Sequence, residues 1–392
     1  MIMNEAIRAG SKRFKKLAST DLLIRHCLKD SDGSDRVYYE VGAVKRMVGH
    51  LDWMERSVKR IAKTKKEPWE SQYFGGKSRC WMTGEAKDLW HVFRNIQESP
   101  KELVAGRKLN PWLEVGLHLA YKWEPRLRFF INGNGNLSVD EEYPRRMLSH
   151  IVKVIRRVCN SKRFRGWVKN HYRGAEDNYR RSAEYILAIL RVHARLLVLR
   201  VDLYFEGDAK EISGSEEADR AYDKFMRNLS TSNIAPDVLG YVGKREDGLD
   251  RRIHYHILVL IDGSEHQQAH NLTEMLGRFW VNDCVGSSIL SSYKNCYERK
   301  NEYEFNCLGL LHYTDDRMLM GLREALEYIC KERAHVLARK GKERNLRKGQ
   351  PPRLPDDGRR RGAPRKYGND VLLAERILLT KSRSESRTRL HG

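Results

Sequence analysis

This chain is short of three things: paired cysteines, uninterrupted apolar runs and acidic residues. Its seven cysteines, Cys27, Cys80, Cys159, Cys284, Cys296, Cys307 and Cys330, are odd in number and form no C-x-x-C pair. That pattern argues against a zinc ribbon and a disulfide framework and for reduced thiols. The longest apolar region, Ile186 to Phe205, is interrupted by Arg191, His193, Arg195 and Arg200, which excludes a bilayer span. The opening MIMNEAIRAGSKRFKKLAS lacks the apolar core of a signal peptide, so a cytoplasmic location and no membrane partner are expected. No internal repeat is evident. Against 52 acidic residues stand 74 lysines and arginines, a formal charge of +22. An excess of that size points to a polyanionic partner: DNA, RNA or an acidic membrane surface. The 392 residues, 40% hydrophobic, suffice for two domains or one large one with an appendage.

Residues 1–190 read as a mainly helical N-terminal region with a DNA-binding role in prospect. Val44 to Ile61 spaces Met47, Leu51, Met54, Val58 and Ile61 as one helical stripe, with basic residues filling much of the other faces. Phe129 to Asn136, FFINGNGN, reads as a short strand entering a turn, and no helix follows closely enough for a phosphate loop. Met147 to Val158 reads as a helix with a basic face. Ser161 to Arg173, SKRFRGWVKNHYR, interleaves cations with Phe164, Trp167 and Tyr172. Such a stretch either stacks on single-stranded nucleic acid or is a basic amphipathic helix with its aromatics in the core.

At Leu196 the pattern changes to alternation. Leu197, Leu199, Val201, Leu203 and Phe205 share one face of a strand; Arg200, Asp202 and Tyr204 share the other. Ala218 to Leu229 reads as a helix and Val238 to Glu246 as a second strand. The Asp247-Gly248 turn signal then joins it as a hairpin to Arg251–Gly263, RRIHYHILVLIDG. Asn271 to Val281 is a predicted helix, Tyr293 to Leu311 a strand pair with polar loops, and Met318 to Leu337 a helix. This order predicts an α+β fold over residues 191–338, a mostly antiparallel sheet covered on one side by helices. From Arg339 the chain is basic and poor in apolar residues, so residues 339–392 read as a largely disordered tail with a short helix at Val371 to Leu379. Arg361 to Lys366 is similar to a minor-groove hook, except that Ala363 replaces its central arginine.

Two places carry candidate chemistry. His254 and His256 lie two apart on a strand and so project from one face. There they either pair as hydrogen-bonded core histidines or share one divalent metal. On the final helix, Leu319, Leu322, Leu326 and Ile329 form the apolar stripe, and Tyr328 points roughly 140° away from its centre at 100° per residue. Glu324 and Lys331 fall on the Tyr328 side.

Taken in order, LVLRVDLYF, YVGKRED, HYHILVLIDG and EYICK resemble the HUH endonucleases, rolling-circle replication initiators related to relaxases and transposases. More narrowly they resemble prophage-borne, inovirus-type replication proteins of the YagK/YfjJ C-terminal domain family. The resemblance covers about Leu196 to His335 and implies an HUH/RRM-like catalytic domain. It assigns His254 and His256 to a metal, Tyr328 as nucleophile and Lys331 as the lysine of Y-x-x-K. It also implies a third ligand, Glu246, with Asp247 and Asp202 as competitors. Lys331 and Glu332 depart from a Y-x-x-x-Y arrangement, which favours a single-tyrosine mechanism. Histidine with carboxylate suits Mn²⁺ or Mg²⁺. The implied activity is metal-dependent nicking and joining of single-stranded DNA through a 5′-phosphotyrosyl intermediate. It would initiate rolling-circle replication of a phage or prophage-like element. The implied partners are single-stranded DNA at a replication origin or nick site, and a host helicase and polymerase. A relaxase or transposase would use the same chemistry; a DNA- or RNA-binding regulator would use the fold without it.

Overall fold

The computed structural model describes residues 27–29, 35–37, 43–96, 109–206, 216–231, 233–248, 252–286, 290–331, 345–352 and 371–380. They divide into two compact units.

The first unit is mostly helical. After a small antiparallel pair, β1 (Cys27–Lys29) and β2 (Asp35–Val37), come α1 (Ala43–Lys63), α2 (Gly84–Arg94), α3 (Pro111–Leu127) and α4 (Glu142–Cys159). The stripe read in α1 is its buried face: Leu51, Met54, Val58 and Ile61 pack against α2, α3 and α4. Asn110 starts α3 by accepting the Trp112 amide, with Pro111 at the first helical position. Between α1 and α2 lies a hairpin, β3 (Trp69–Phe74) and β4 (Lys77–Met82), which the helical reading of this region lacked. Gly75 and Gly76 turn it with φ of +54° and +79°, as a two-residue hairpin loop requires. FFINGNGN is a turn and not a strand: Asn132 Oδ1 accepts the Asn134 and Asn136 amides, and one isolated bridge joins Ile131 to Leu137.

Helix α5 (Lys162–Val192) is continuous, and the division between the units falls inside it, between Arg173 and Gly174. The boundary expected near residue 190 marks only the change from helix to strand.

The second unit is the sheet. Its strands are β5 (Arg195–Phe205), β6 (Val238–Gly248), β7 (Arg252–Asp262), β8 (Ser291–Asn295), β9 (Gly309–His312) and β10 (Leu346–Lys348). All pairs are antiparallel, in the order β10-β6-β7-β5, with β8 and β9 sharing the far edge of β5. One face carries Leu197, Leu199, Val201 and Leu203 with Ile257, Val259 and Ile261. It packs under α6 (Glu216–Ser230) and α7 (Ala269–Phe279). The other carries Leu196, Val198, Val242, Leu258 and Leu260 under α5, α8 (Asp316–Cys330) and α9 (Leu372–Leu379). Helices therefore cover both faces, not one. The unbroken apolar run Ile257–Ile261 in β7 demands it, because it places large side chains on both sides.

Two further expectations change. Helix α8 ends at Cys330 and not Leu337, since Lys331 is extended at φ −63° and ψ 130°. Residues 332–340 lie outside the described residues. The segment read as a tail supplies β10, an unexpected edge strand on β6, and the short helix expected there, α9, which buries Ala374, Ile377 and Leu378. Tyr179 Oη donates to the Leu378 carbonyl and Arg323 to that of Ile377. A few apolar side chains suffice to dock a short helix, and averaged composition conceals them. The hook-like Arg361–Lys366 and most of the remaining basic stretch lie outside the described residues. Among the described residues no helix is long and apolar enough to cross a membrane.

Candidate metal centre and its tyrosine

Register builds the site. On the α8 side of the sheet, Lys244, His256 and Asp202 form one row across β6, β7 and β5, and Glu246, His254 and Tyr204 form the next. Each strand contributes alternate residues, so all six share one face. The apolar residues between them hold the opposite core, which fixes that parity.

His254 and His256 are fully buried, and Glu246 is 7% exposed. Glu246 Oε2 lies 3.4 Å from His254 Nε2 and 3.6 Å from His256 Nε2. Possible ligand atoms of the three residues all lie within 4.8 Å of one another. Atoms ligating one ion at about 2.1 Å sit about 3–3.5 Å apart, so this donor set of two imidazoles and a carboxylate fits a divalent cation. His256 Nε2 is buried and makes no hydrogen bond, and a cation held between it and Glu246 would satisfy it.

Asp202 does not join that group. Its Oδ1 lies 2.8 Å from His256 Nδ1, behind the ring, and its carboxylate takes two hydrogen bonds from Arg200, at 3.1 and 2.9 Å. This is the position of a residue that fixes a ligand histidine's tautomer and orientation. Burial alone would raise the Asp202 carboxyl, but Arg200 and His256 outweigh it and hold it well below the usual carboxylate range. Burial would lower His256, and Asp202 and Glu246 raise it above the ordinary imidazole value. The side chain of Asp247, the other competitor, lies outside the described residues.

The structure brings Tyr328 to this cluster. Its ring centroid is 5.1 Å from that of His256, edge to face. Arg200, buried and paired with Asp202, places its guanidinium 4.6 Å from the centre of the Tyr328 ring. Lys331 is exposed and follows the helix instead of extending its Tyr328 face. Its carbonyl accepts a hydrogen bond from Lys244 Nζ, which also lies 3.6 Å from Glu246 Oε1. One turn before Tyr328, Glu324 has its carboxyl pushed up to about 7 by burial, with Glu304 and Glu327 adding repulsion.

His254, His256, Glu246 and Tyr328, all singled out from the sequence, lie together on this face. Sequence reasoning overlooked Arg200 and Lys244. Both were visible as charged residues at inward positions of alternating strands, the parity that identified the histidines.

This geometry defines a class: an antiparallel α+β unit with a candidate two-histidine, one-carboxylate metal centre under a helix that carries a tyrosine. Residues 163–344, just under half of the chain, match the family described as the YagK/YfjJ C-terminal domain, which supports that family for this segment. No curated protein and no solved structure matches the chain.

Proposed function

We propose that the sheet unit nicks and rejoins single-stranded DNA, with Tyr328 as nucleophile beside a divalent metal held by His254, His256 and Glu246. The observation that supports this reading is the Tyr328 ring against His256, on the face where those three residues converge.

A phenol of pKa about 10 is a poor nucleophile at neutral pH. The Arg200 guanidinium against the ring would offset negative charge developing on the attacking oxygen, and Lys331, assigned by the Y-x-x-K resemblance, would add positive charge near the scissile phosphate. The Tyr328 oxygen attacks phosphorus. An oxygen–phosphorus bond forms as the bond from phosphorus to the 3′ oxygen breaks. The proton lost by the phenol balances the one gained by the departing 3′-hydroxyl. The products are a 5′-phosphotyrosyl protein and a free 3′-hydroxyl, and reversal rejoins the strand. Mn²⁺ or Mg²⁺ at this centre would supply Lewis-acid stabilisation of charge on a non-bridging phosphoryl oxygen. Asp202 keeps the His256 Nε2 free to ligate, and Lys244 ties Glu246 to the end of α8. The free 3′-hydroxyl suits priming of rolling-circle replication of a phage or prophage-like element, with host helicase and polymerase as partners in the cytoplasm.

The test is incubation of the full chain with Mn²⁺ and a random-sequence pool of single-stranded oligonucleotides. The reading expects a denaturation-resistant protein–DNA adduct, absent without metal and absent in Tyr328→Phe. Cleavage without an adduct would mean a metal nuclease using water. Metal and DNA binding with neither cleavage nor adduct would mean a binding protein on the same fold.

A further inference from the structure

The β3–β4 hairpin of the helical unit has one anchored face and one open face. The anchored face holds at its root. Trp69 Nε1 donates to Ser149 Oγ at 3.1 Å, the Arg145 guanidinium lies 5.3 Å over the Trp69 ring, and the Cys80 amide donates to Asp140 Oδ1 at 3.0 Å. Register puts Glu70 opposite Trp81, Gln72 opposite Arg79 and Phe74 opposite Lys77, all on the other face. That face is exposed along its whole length. On it Phe74 is 63% exposed and Trp81 37%; Tyr73, near the tip, falls on the Trp69 face.

Aromatics this open gain nothing from the protein's own core, because no burial offsets their contact with water. Cations separate them: Arg79 and Lys77 lie between Trp81 and Phe74 along β4 and its turn. The surroundings are basic as well. Residues 63–82 carry Lys63, Lys65, Lys66, Lys77 and Arg79 against Glu67 and Glu70. From Arg145 to Arg173, which includes the helix that anchors the hairpin, there are ten basic residues and no acidic one. By contrast, two of the three aromatics of Ser161–Arg173 are taken up by the protein itself, while Trp167 is 37% exposed. Phe164 is buried against Trp112, and Tyr172 accepts a hydrogen bond from Asn110.

We propose that the open face of this hairpin binds single-stranded DNA, with Phe74 and Trp81 stacking on unpaired bases and Lys77 and Arg79 pairing with phosphates. Alternating π faces and cations suit a flexible strand whose bases are free to stack. A duplex hides those faces. The inference does not depend on the chemistry of Tyr328.

The experiment measures binding of a mixed-sequence single-stranded DNA oligonucleotide to the full chain by anisotropy at several salt concentrations. Phe74→Ala/Trp81→Ala should bind at least about tenfold more weakly with an unchanged salt slope, since stacking is lost and no cation is removed. Lys77→Gln/Arg79→Gln should reduce the magnitude of the slope by about 1.4, two phosphate contacts at roughly 0.7 each. Both pairs should keep wild-type Mn²⁺ binding, so loss of DNA affinity here is distinct from failure of the metal centre. Wild-type affinity in Phe74→Ala/Trp81→Ala would overturn the proposal. So would a loss confined to duplex DNA, or a loss seen only with RNA of the same sequence. A direct measurement needs no variant: photocross-linking of the wild-type chain to an oligonucleotide carrying 5-iodouracil should label the peptide spanning residues 69–82, and labelling only elsewhere would overturn it.

Discussion

The two units treat their polar residues in opposite ways. In the sheet unit, Arg200, Asp202, Lys244, Glu246, His254 and His256 are all buried on one face. Every charge there has a neighbour of opposite sign or an imidazole within reach. In the helical unit the cations sit in water, on the outside of α4 and α5, and the aromatics of β3 and β4 join them. Burying six ionisable groups together costs several kcal/mol per uncompensated charge, so such a cluster persists only where a partner or ligand compensates it. A surface array carries no such cost and binds through many weak contacts. The difference teaches where to look: interior chemistry follows strand parity, whereas surface chemistry follows exposure.

Breaking the interior half of this comparison should have the largest effects. His254→Ala/His256→Ala removes two of three donors and should reduce Mn²⁺ affinity beyond about 100-fold in calorimetry, while leaving the salt dependence of DNA binding intact. Retained wild-type metal binding would place the centre elsewhere. Leu378→Ala tests whether α9 is core and not tail. Leu378 is fully buried, so its truncation should cost about 2–5 kcal/mol in denaturant unfolding. A value near zero would return that helix to the surface. Asp202→Asn keeps the shape but loses the charge behind His256, and should weaken Mn²⁺ binding by about 10–100-fold without displacing the ligands. The smallest effect is a pH signature. The Glu324 carboxyl sits at about 7, above its ordinary 4.5, so the folded chain holds a proton that the unfolded chain releases. Its contribution to stability is therefore present below about 4.5 and lost as pH rises to about 7. Glu324→Gln should raise the melting temperature at pH 8 and change little at pH 4; equal shifts at both would remove the burial argument.

Much of the interior was legible because β-strand parity is a rigid rule. The alternation in LLVLRVDLYF predicted both faces of β5, and H-x-H predicted that His254 and His256 share one. The length of α8 was not legible. Its apolar stripe ends at Ile329, and the residues after it show helical propensity that the extended backbone at Lys331 overrides. Glu246 was preferred to Asp247 and Asp202 as third ligand on the expected hairpin and the family resemblance; spacing alone could not separate them, since that depends on which strand neighbours β7 on each side. Only the order β6-β7-β5 separates Glu246, beside both imidazoles, from Asp202, behind one of them. The hairpin β3–β4 escaped notice for a related reason. A hairpin exposed along all but its root leaves no period-2 apolar signal, only the Gly75-Gly76 turn.

The most direct measurement of the central claim is peptide mapping of the protein–DNA adduct by mass spectrometry, after Mn²⁺-dependent reaction with single-stranded DNA and digestion of both components. The account predicts a nucleotide phosphate on Tyr328, in the peptide that contains EYICK, and on no other residue. A modification on Tyr313, Tyr204 or any other tyrosine would contradict it, as would complete cleavage with every tyrosine unmodified.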